Sequence, residues 1–205
     1  MSSVFITFEG IDGSGKSTQA KLFSKWCLEY LKKEVVLTRE PGGSPSCQVF
    51  RDIVLEGKLR HPWSEPFIFM LDRAEHIADV IEPALNEGKI VICERYFDST
   101  LAYQVWGRGL DRSVLDAMFK TAHFPVPDIT IYFSIEVDAA FERVLRRGKL
   151  DSIESEGYIF MKKIKQGYDD LSKENPGRFV VIKTDGKTPQ EVFEEVKDVL
   201  LTRGL

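Results

Sequence analysis

The sequence is poor in cysteine and histidine, with three of each in 205 residues. The cysteines are odd in number and form no C-x-x-C pair: Cys27, Cys47 and Cys93. The histidines are scattered without the spacing that a shared metal ion requires. We therefore expect neither a disulfide framework nor a structural zinc site, and the unpaired cysteines favour a reducing compartment.

Long hydrophobic runs and an excess of basic charge are also absent. The apolar run near the N-terminus, Val4–Phe8, is far shorter than the roughly 18 residues that span a bilayer. With 28 Lys and Arg against 32 Asp and Glu, the net charge of -4 has the wrong sign for binding nucleic acid through phosphate neutralisation. We expect a soluble, unprocessed, cytoplasmic protein that has neither a membrane nor a nucleic acid as partner.

Short β-branched runs alternate with amphipathic stretches along the chain. Five runs predict strands that are buried on both faces: Val4–Phe8, Val35–Thr38, Ile90–Cys93, Ile129–Phe133 and Phe179–Ile182. Five stretches predict helices: Gln19–Leu31, Ile68–Leu85, Asp138–Arg147, Glu154–Leu171 and Pro189–Leu201. This alternation predicts an α/β fold, a five-stranded parallel sheet with helices on both faces, in one domain over residues 1–205.

Helical periodicity also predicts which side chains of the first two helices share a face. In the first helix the spacing groups Ala20, Phe23, Cys27 and Tyr30. In the second it groups Leu71, Glu75, Ala78 and Ile81 around a partly polar face.

A glycine-rich segment follows the first predicted strand and opens a helix. Residues 10–18 read GIDGSGKST, which matches the pattern G-x-x-x-x-G-K-[ST]. Glycines let a backbone wrap closely around phosphate, Lys16 reaches the β- and γ-phosphates, and Ser17 offers a hydroxyl to Mg²⁺. The pattern predicts a nucleotide-phosphate site formed by Gly10, Ile11, Asp12, Gly13, Ser14, Gly15, Lys16, Ser17 and Thr18.

Charged residues cluster where the next strands end, at the edge where open α/β sheets bind ligands. TREPGG, with Arg39 and Glu40, follows the second strand, and Glu94 begins the run ERYFDST after the third. Residues 143–156 form another charged segment, which contains Gly148. Its basic side chains come first, and its acidic ones follow: Arg143, Arg146, Arg147 and Lys149, then Asp151, Glu154 and Glu156. By itself this segment predicts either a solvated turn or a mobile lid.

Five segments, in order and over nearly the whole chain, resemble the motifs of the thymidylate kinase family: FEGIDGSGKSTQ, TREPGG, FMLDRAEH, ERYFDSTLAYQ and GRGL. The resemblance implies a P-loop kinase fold with a short lid at about residues 143–156, and usually a homodimer. It implies transfer of the γ-phosphoryl group of Mg·ATP to dTMP, with dTDP and ADP as products. Gly13 and Ser14 are not basic, which is similar to the bacterial subtype that draws its catalytic arginine from the lid.

The resemblance also implies roles for the residues that match. The catalytic group would be Lys16, Arg95 and a lid arginine, Arg147, with Arg143 and Arg146 as alternatives. The dTMP site would comprise Asp12, Arg39, Glu40, Arg51, Phe69, Arg73, Arg95, Ser99, Thr100, Tyr103 and Gln104. Within that site Phe69 would stack on thymine, Arg73 would bond the base and Tyr103 would crowd the ribose 2′ position. Ser17 and Glu94 would hold Mg²⁺.

Several of these residues also have ordinary structural explanations. Phe69 is compatible with a core aromatic, Arg95 with a surface ion pair, and Arg51 with an exposed helix position. Ser99 and Thr100 are also good helix caps. One position departs from the family pattern D-R-x-E, because Ser152 stands where the arginine is usual. Either the other basic residues of the lid suffice, or lid closure is weakened.

Two other functions compete with this interpretation. In a deoxynucleoside kinase, Glu94 would act as a base on the sugar hydroxyl of thymidine. The TREPGG loop and the lid arginines argue against it, because they are features of monophosphate kinases. A P-loop nucleotide switch would need a guanine-reading N-K-x-D run, which the sequence does not contain.

Overall fold

The computed structural model describes residues 3–146, 148 and 151–204. Its sheet has five parallel strands in the order β2-β3-β1-β4-β5. The strands are β1 (Val4–Glu9), β2 (Val35–Arg39), β3 (Ile90–Glu94), β4 (Ile129–Ser134) and β5 (Phe179–Lys183). The predicted α/β architecture is confirmed. Each strand extends one polar residue beyond its predicted apolar run, because the backbone ladder continues after the buried side chains end.

Nine α-helices surround this sheet among the described residues. They are α1 (Lys16–Trp26), α2 (Gln48–Leu55), α3 (Ser64–His76), α4 (Glu82–Asn86), α5 (Phe97–Leu101), α6 (Arg112–Thr121), α7 (Val137–Arg146), α8 (Gly157–Glu174) and α9 (Pro189–Thr202). Wider π-helical turns continue three of them, at Cys27–Leu31, Ile77–Ile81 and Ala102–Gly107. Short 3-10 turns precede α2 and α8, at Pro45–Cys47 and Glu154–Glu156.

The central strands β1, β3 and β4 are buried on both faces, as the β-branched runs predict. The prediction is wrong for the edge strands β2 and β5, where Leu37 and Val181 are 38% and 45% exposed because helices cover the edges of the sheet less fully than its middle. On one face, Ile6 and Phe8 of β1 pack with α1 and α9. On the other, Phe5 and Val91 pack against the helical stretch that ends in α4. The cysteines are buried free thiols. No helix in the described part of the chain is both long enough and apolar enough to cross a membrane.

The predicted helix faces are partly wrong. Ala20, Phe23 and Cys27 are buried, but Tyr30 is 73% exposed. The π-helical turn that begins at Cys27 has more residues per turn, so it rotates Tyr30 outward and brings Leu31 against the core.

In α3 the inward face is one residue away from the predicted one, since Leu71 is exposed while Met70 and Arg73 are buried. This face carries charged side chains whose partners lie on another loop. Hydrophobic periodicity cannot identify such a face.

Candidate functional site

The loop between β1 and α1 has the shape that the phosphate-binding pattern predicts. Gly13 has a φ of +84°, and a β-carbon there would lie 2.6 Å from the carbonyl oxygen of Ala140, so only glycine fits. Gly15 precedes α1, and in the described structure no side chain caps this helix, so its first N–H groups are left for a ligand. The buried hydroxyl of Ser14 likewise has no hydrogen-bond partner among the described residues. These unused donors suit an anion held within the loop.

Lys16 is the cation of this loop and is only 6% exposed. Its Nζ donates to the carbonyl oxygens of Gly10 at 2.8 Å and Ile11 at 2.9 Å. Burial, followed by the repulsion of Arg95, lowers the pKa of Lys16 to about 7. Bound phosphates would supply the negative charge that the amine needs in order to stay protonated.

Ser17 and Glu94 meet beside Lys16, although 77 residues separate them in sequence. Ser17 Oγ donates to Glu94 Oε2 over 2.6 Å. Hydroxyl and carboxylate oxygens are the hard ligands that Mg²⁺ prefers, so this pair fits such an ion. Parallel pairing of β1 with β3 brings the two residues together at the carboxyl edge of the sheet.

Arg95 lies on the other side of the loop and has a left-handed backbone, with a φ of +65°. Strain of this kind in a residue other than glycine is found mostly at functional sites. Its Nη2 donates to Asp12 Oδ1 at 2.7 Å, and Asp12 Oδ2 also accepts a hydrogen bond from the Tyr103 hydroxyl. Burial opposes the charge of Arg95, but Asp12 outweighs it together with other nearby groups and raises its pKa well above the usual value.

Two adjoining cavities open at this edge. The smaller, of about 110 Å³, is lined by Asp12, Glu40, Pro41, Arg51, Val54, Leu55, Phe69, Arg73, Arg95, Tyr96, Ser99, Thr100, Tyr103, Asp151 and Ile153. The larger, of about 570 Å³, contains the phosphate loop and is lined further by Arg39, Glu94, Arg143, Thr184, Lys187 and Val192. Five residues line both: Asp12, Glu40, Arg51, Arg95 and Asp151. The arrangement can hold two ligands whose charged ends meet at this boundary, where Arg51 and Arg95 are the cations.

Comparisons with known proteins agree on one family. The sequence model for "Thymidylate kinase" matches residues 8–196. The thymidylate kinase of Kosmotoga olearia is 41% identical over 203 residues, which cover 97% of this chain and 96% of that protein. The thymidylate kinase of Dehalococcoides mccartyi is 43% identical, over 95% of this chain and 94% of its own.

A solved structure agrees as well. The crystal structure of thymidylate kinase from Ehrlichia chaffeensis superposes with a TM-score of 0.81 at 35% identity, and the match covers 98% of this chain and 100% of that one. The chain belongs to the thymidylate kinase family. Its fold is therefore a P-loop kinase fold, as the resemblance implied.

In this member of the thymidylate kinase family, the LDRAEH motif braces the TREPGG loop through buried side chains. Arg73 Nη2 lies 2.7 Å from Glu40 Oε2, and both side chains are almost fully buried. Arg73 also donates to Thr100 Oγ1 at 3.1 Å, which ties this pair to α5. His76 pairs through its two ring nitrogens with Glu40 and Thr38. Together these bonds hold the TREPGG loop against α3, at the wall of the smaller cavity.

Glu40, His76 and Cys93 also place three potential metal-ligand atoms within 4.8 Å of one another. The carboxylate of Glu40 is already committed to Arg73 and His76. This group therefore serves as a brace rather than as a candidate metal centre.

Asp72 completes the brace and makes stability depend on pH. It accepts from the Gly42 N–H at 2.8 Å, and burial raises its pKa to about 6. The folded state favours the protonated acid. The stabilisation that Asp72 contributes is therefore complete below about pH 4 and is lost as the pH rises through about 6. We expect the free energy of unfolding of Asp72→Asn to rise relative to that of the parent across this pH range, and the difference to stay constant above it.

Urea unfolding of both proteins between pH 4.5 and 8 measures this difference. Asp79→Asn, on the exposed side of the same helical stretch, is the control. A stability difference that does not change with pH would contradict the assignment.

The remaining residues that the thymidylate kinase resemblance singled out are distributed around the two cavities. Arg51 lines both, Phe69 lines the smaller, and Arg39 is an exposed residue that lines only the larger. Gln104 lines neither, because its buried amide donates to Glu65. Thr18 lies in the first turn of α1 and lines the larger cavity.

The lid segment is described only in part. Arg143 Nη1 donates to the carbonyl oxygen of Gly13 at 3.1 Å, which places a guanidinium against the phosphate loop. Arg146 pairs with Glu142 on the exposed surface of α7. Arg147 lies outside the described residues. Ser152 donates to the carbonyl oxygen of Val54 at 2.9 Å, so the end of the lid packs on α2.

The sequence reasoning missed Glu9, which is fully buried at the end of β1. Its oxygens accept hydrogen bonds from the Tyr96 N–H and from the hydroxyls of Ser99 and Tyr168. Burial, reinforced by Asp98, raises its pKa to about 7. A carboxylate placed directly before the first glycine of the loop is a signal that could have identified it. Tyr168, in the middle of α8, has no comparable local signal.

Proposed function

We propose that this chain phosphorylates dTMP to dTDP with ATP as the phosphoryl donor. Membership of the thymidylate kinase family supports this function. The observation that carries it is the pair of adjoining cavities, which share Asp12, Arg51 and Arg95 at their boundary. The larger, with the phosphate loop, would hold ATP, and the smaller would hold dTMP.

The reaction needs alignment and positive charge rather than a base. The acceptor is already a phosphate oxyanion, so the protein must hold the two phosphates in line and stabilise the transferring group. Lys16, on the donor side, would contact the β- and γ-phosphates. Arg95 would hold the acceptor phosphate, because a guanidinium matches two phosphate oxygens at once. The left-handed backbone of Arg95 and its bond to Asp12 keep that guanidinium oriented before the substrate arrives.

We also propose that Ser17 and Glu94 hold Mg²⁺. The ion would neutralise charge that develops on the phosphates during transfer. The 2.6 Å contact between these two side chains supports the assignment, because an ion inserted between them would keep both as ligands.

The nucleoside of dTMP would occupy the smaller cavity. Phe69 offers a ring to stack on thymine, and the bonded pair of Arg73 and Thr100 offers polar atoms to the base edge. Tyr103 would exclude a ribose hydroxyl while its own hydroxyl orients Asp12, which would face the 3′-hydroxyl. Arg39 and Glu40 complete the dTMP site in this proposal, together with Ser99. Gln104 would act from behind the wall, through Glu65.

The cationic boundary argues against thymidine as the acceptor. Arg51 and Arg95 both border the smaller cavity, and a phosphate would accept hydrogen bonds from their guanidinium groups that an uncharged nucleoside would not. Burial, together with repulsion from Arg39 and Arg95, lowers the pKa of Arg51. A cluster of this kind suits a dianionic phosphate.

A coupled ADP-release assay tests the proposed function. The protein is assayed with Mg·ATP against dTMP, dUMP, dCMP, dGMP, AMP and thymidine, with parallel reactions that contain EDTA. Strong turnover of dTMP, weaker turnover of dUMP and none with EDTA are expected. Turnover of thymidine without dTMP would assign Glu94 the role of a base, and inactivity on every acceptor would contradict the proposal.

We propose further that residues 1–205 act as one domain with a lid at about residues 143–156. The contact of Arg143 with the loop carbonyl supports a lid that closes over the phosphates. An arginine that reaches a transferring phosphoryl group accelerates transfer by about 10³- to 10⁵-fold. Arg147→Ala is expected to lower kcat at least tenfold with little change in the KM for dTMP. Steady-state kinetics of this variant beside Arg146→Ala measure the effect, and a kcat within twofold of the parent would contradict it.

We propose a homodimer that works in the cytoplasm. Three helices expose large apolar side chains: Val49 and Ile53 on α2, Phe67 and Leu71 on α3, and Val114 on α6. The described helices α2 and α3 pack together, as do α3 and α6, so these exposed side chains lie on neighbouring helices. A second copy of the chain would cover them. Sedimentation velocity of the parent and of Leu71→Glu tests this interface.

A further inference from the structure

The arginine of the GRGL motif, Arg108, joins two carboxylates from distant parts of the chain. Its Nε and Nη2 donate to the two oxygens of Glu65, at 2.9 and 2.8 Å. Its Nη1 donates to Glu156 Oε1 at 3.2 Å. The guanidinium also lies over the ring of Phe160, 5.2 Å from its centre. Only a planar guanidinium, whose N–H groups are fixed in a fork, can make these hydrogen bonds together.

Each partner of Arg108 belongs to a different wall of the smaller cavity. Glu65 lies in the first turn of α3, and Phe69 and Arg73 follow it along that helix into the cavity. Glu156 closes the 3-10 turn that follows Asp151 and Ile153 of the cavity lining.

The third wall, which contains Tyr103, is connected to Glu65 by a side-chain amide. Gln104 Nε2 donates to Glu65 Oε2 at 3.0 Å, and its neighbour Tyr103 lines the cavity. Arg108 itself directly follows this π-helical segment, whose Gly107 permits the close approach of Phe160. Among the described residues, the network therefore touches all three walls from outside, and none of its hydrogen bonds reaches the phosphate loop.

Burial distinguishes this network from an ordinary surface ion pair. The side chains of Arg108 and Glu65 are 21% and 16% exposed, whereas that of Glu156 is 44% exposed. Partly buried, fork-shaped pairs fix geometry, while exposed pairs contribute little. The Arg108–Glu65 pair is thus held firmly, and the Arg108–Glu156 pair is the one that can open when the lid moves.

We propose that Arg108 is a positioning residue that holds the three walls of the acceptor cavity in register and couples acceptor binding to the position of the lid. The inference rests on the proposed function, since the acceptor is taken to be dTMP. Loss of Arg108 affects the KM for dTMP more than that for ATP, because Phe69, Arg73 and Tyr103 of two walls line the smaller cavity alone, and only the wall with Asp151 also borders the larger one.

The test compares Arg108→Ala, Glu156→Gln and the double variant with Arg112→Ala. Arg112 is a matched control: it pairs with Asp116 and Glu174 and lies over Trp106 in the segment of the third wall, but these contacts join that segment to neither of the other two walls. For each variant we measure kcat, the KM for dTMP and for ATP, and the thermal midpoint. Glu156→Gln changes an exposed side chain, so it remains informative if Arg108→Ala folds poorly.

Arg108→Ala is expected to raise the KM for dTMP at least about fivefold and to change that for ATP less than about twofold. Glu156→Gln is expected to raise the KM for dTMP about two- to fourfold, and the double variant to match Arg108→Ala, because both residues act through one pair. A joint rise of both KM values, an equal effect in Arg112→Ala, or an unchanged KM in Glu156→Gln would overturn the proposal. A parent protein inactive on dTMP would contradict the proposed function instead.

Discussion

Replacing Lys16 by methionine is expected to lower kcat by about 10²- to 10³-fold, the loss typical of one donor aimed at charge that develops in a transition state. The side chain keeps its length and loses its cation. At present its Nζ is held by the Gly10 and Ile11 carbonyl oxygens inside the loop, where phosphates would replace them. Steady-state kinetics with saturating ATP and dTMP measure the change.

The same substitution is expected to raise thermal stability at pH 7. Burial lowers the pKa of Lys16 to about 7, well below that of an unfolded lysine, so folding at neutral pH works against the charge of this amine. The cost is present below about pH 7 and disappears as pH rises toward the unfolded value. The gain of Lys16→Met over the parent should therefore shrink between pH 7 and 9.5, as thermal melts can measure.

Lys21→Met is the control for both effects, because Lys21 lies on the exposed side of the same helix. It should leave kcat within about twofold of the parent and show no comparable stability gain that varies with pH. If Lys16→Met kept kcat within tenfold of the parent, or if the two variants behaved alike, the role assigned to Lys16 would be wrong.

Arg95→Ala is expected to lower kcat/KM for dTMP by about 10²- to 10³-fold. The substitution removes the guanidinium at the boundary of the two cavities and leaves the Asp12 carboxylate without its 2.7 Å partner. The acceptor phosphate would lose this guanidinium and its two N–H donors, so affinity and rate both fall. Arg95→Lys should recover only part of the loss, because an ammonium cannot hold Asp12 and a phosphate with one planar fork.

Kinetics with varied dTMP and with varied ATP separate the two contributions of Arg95. The KM for ATP should change less than that for dTMP, since Arg95 borders both cavities but is proposed to hold the acceptor phosphate. Arg112→Lys, which alters a paired arginine outside both cavities, controls for general destabilisation. Full recovery of activity in Arg95→Lys would show that charge alone is needed and would contradict a bidentate role.

The positions of the strands and of the phosphate loop could be predicted from sequence because both depend on local chemistry. A run such as Ile90–Cys93 must be buried on both faces, and the phosphate loop needs glycine at Gly10 and Gly13, where a β-carbon would collide with the backbone. The structure starts each strand at the predicted residue. It also brings Glu94 to Ser17, which parallel strands that end at the same edge make possible.

Other features depended on contacts that no local pattern encodes. Tyr30 is exposed because a π-helical turn breaks the regular period, and α2, α5 and α6 are helices that the periodicity did not detect. Gln104 lies behind the acceptor cavity because Glu65, from another helix, captures its amide. Glu9 is buried because three donors converge on it, from the loop between β3 and α5, from α5 and from α8.

By itself, the sequence determined the α/β sheet, the phosphate loop and the family to which the chain belongs, since each follows from residue types at short or fixed spacing. Only the tertiary structure decided which charged side chains face a ligand and which hold the walls in place. The sequence alone does not distinguish the roles of Arg73, Arg95 and Arg108. Arg73 braces a loop, Arg95 borders both cavities and Arg108 joins three elements, because the carboxylates that orient them come from distant parts of the chain.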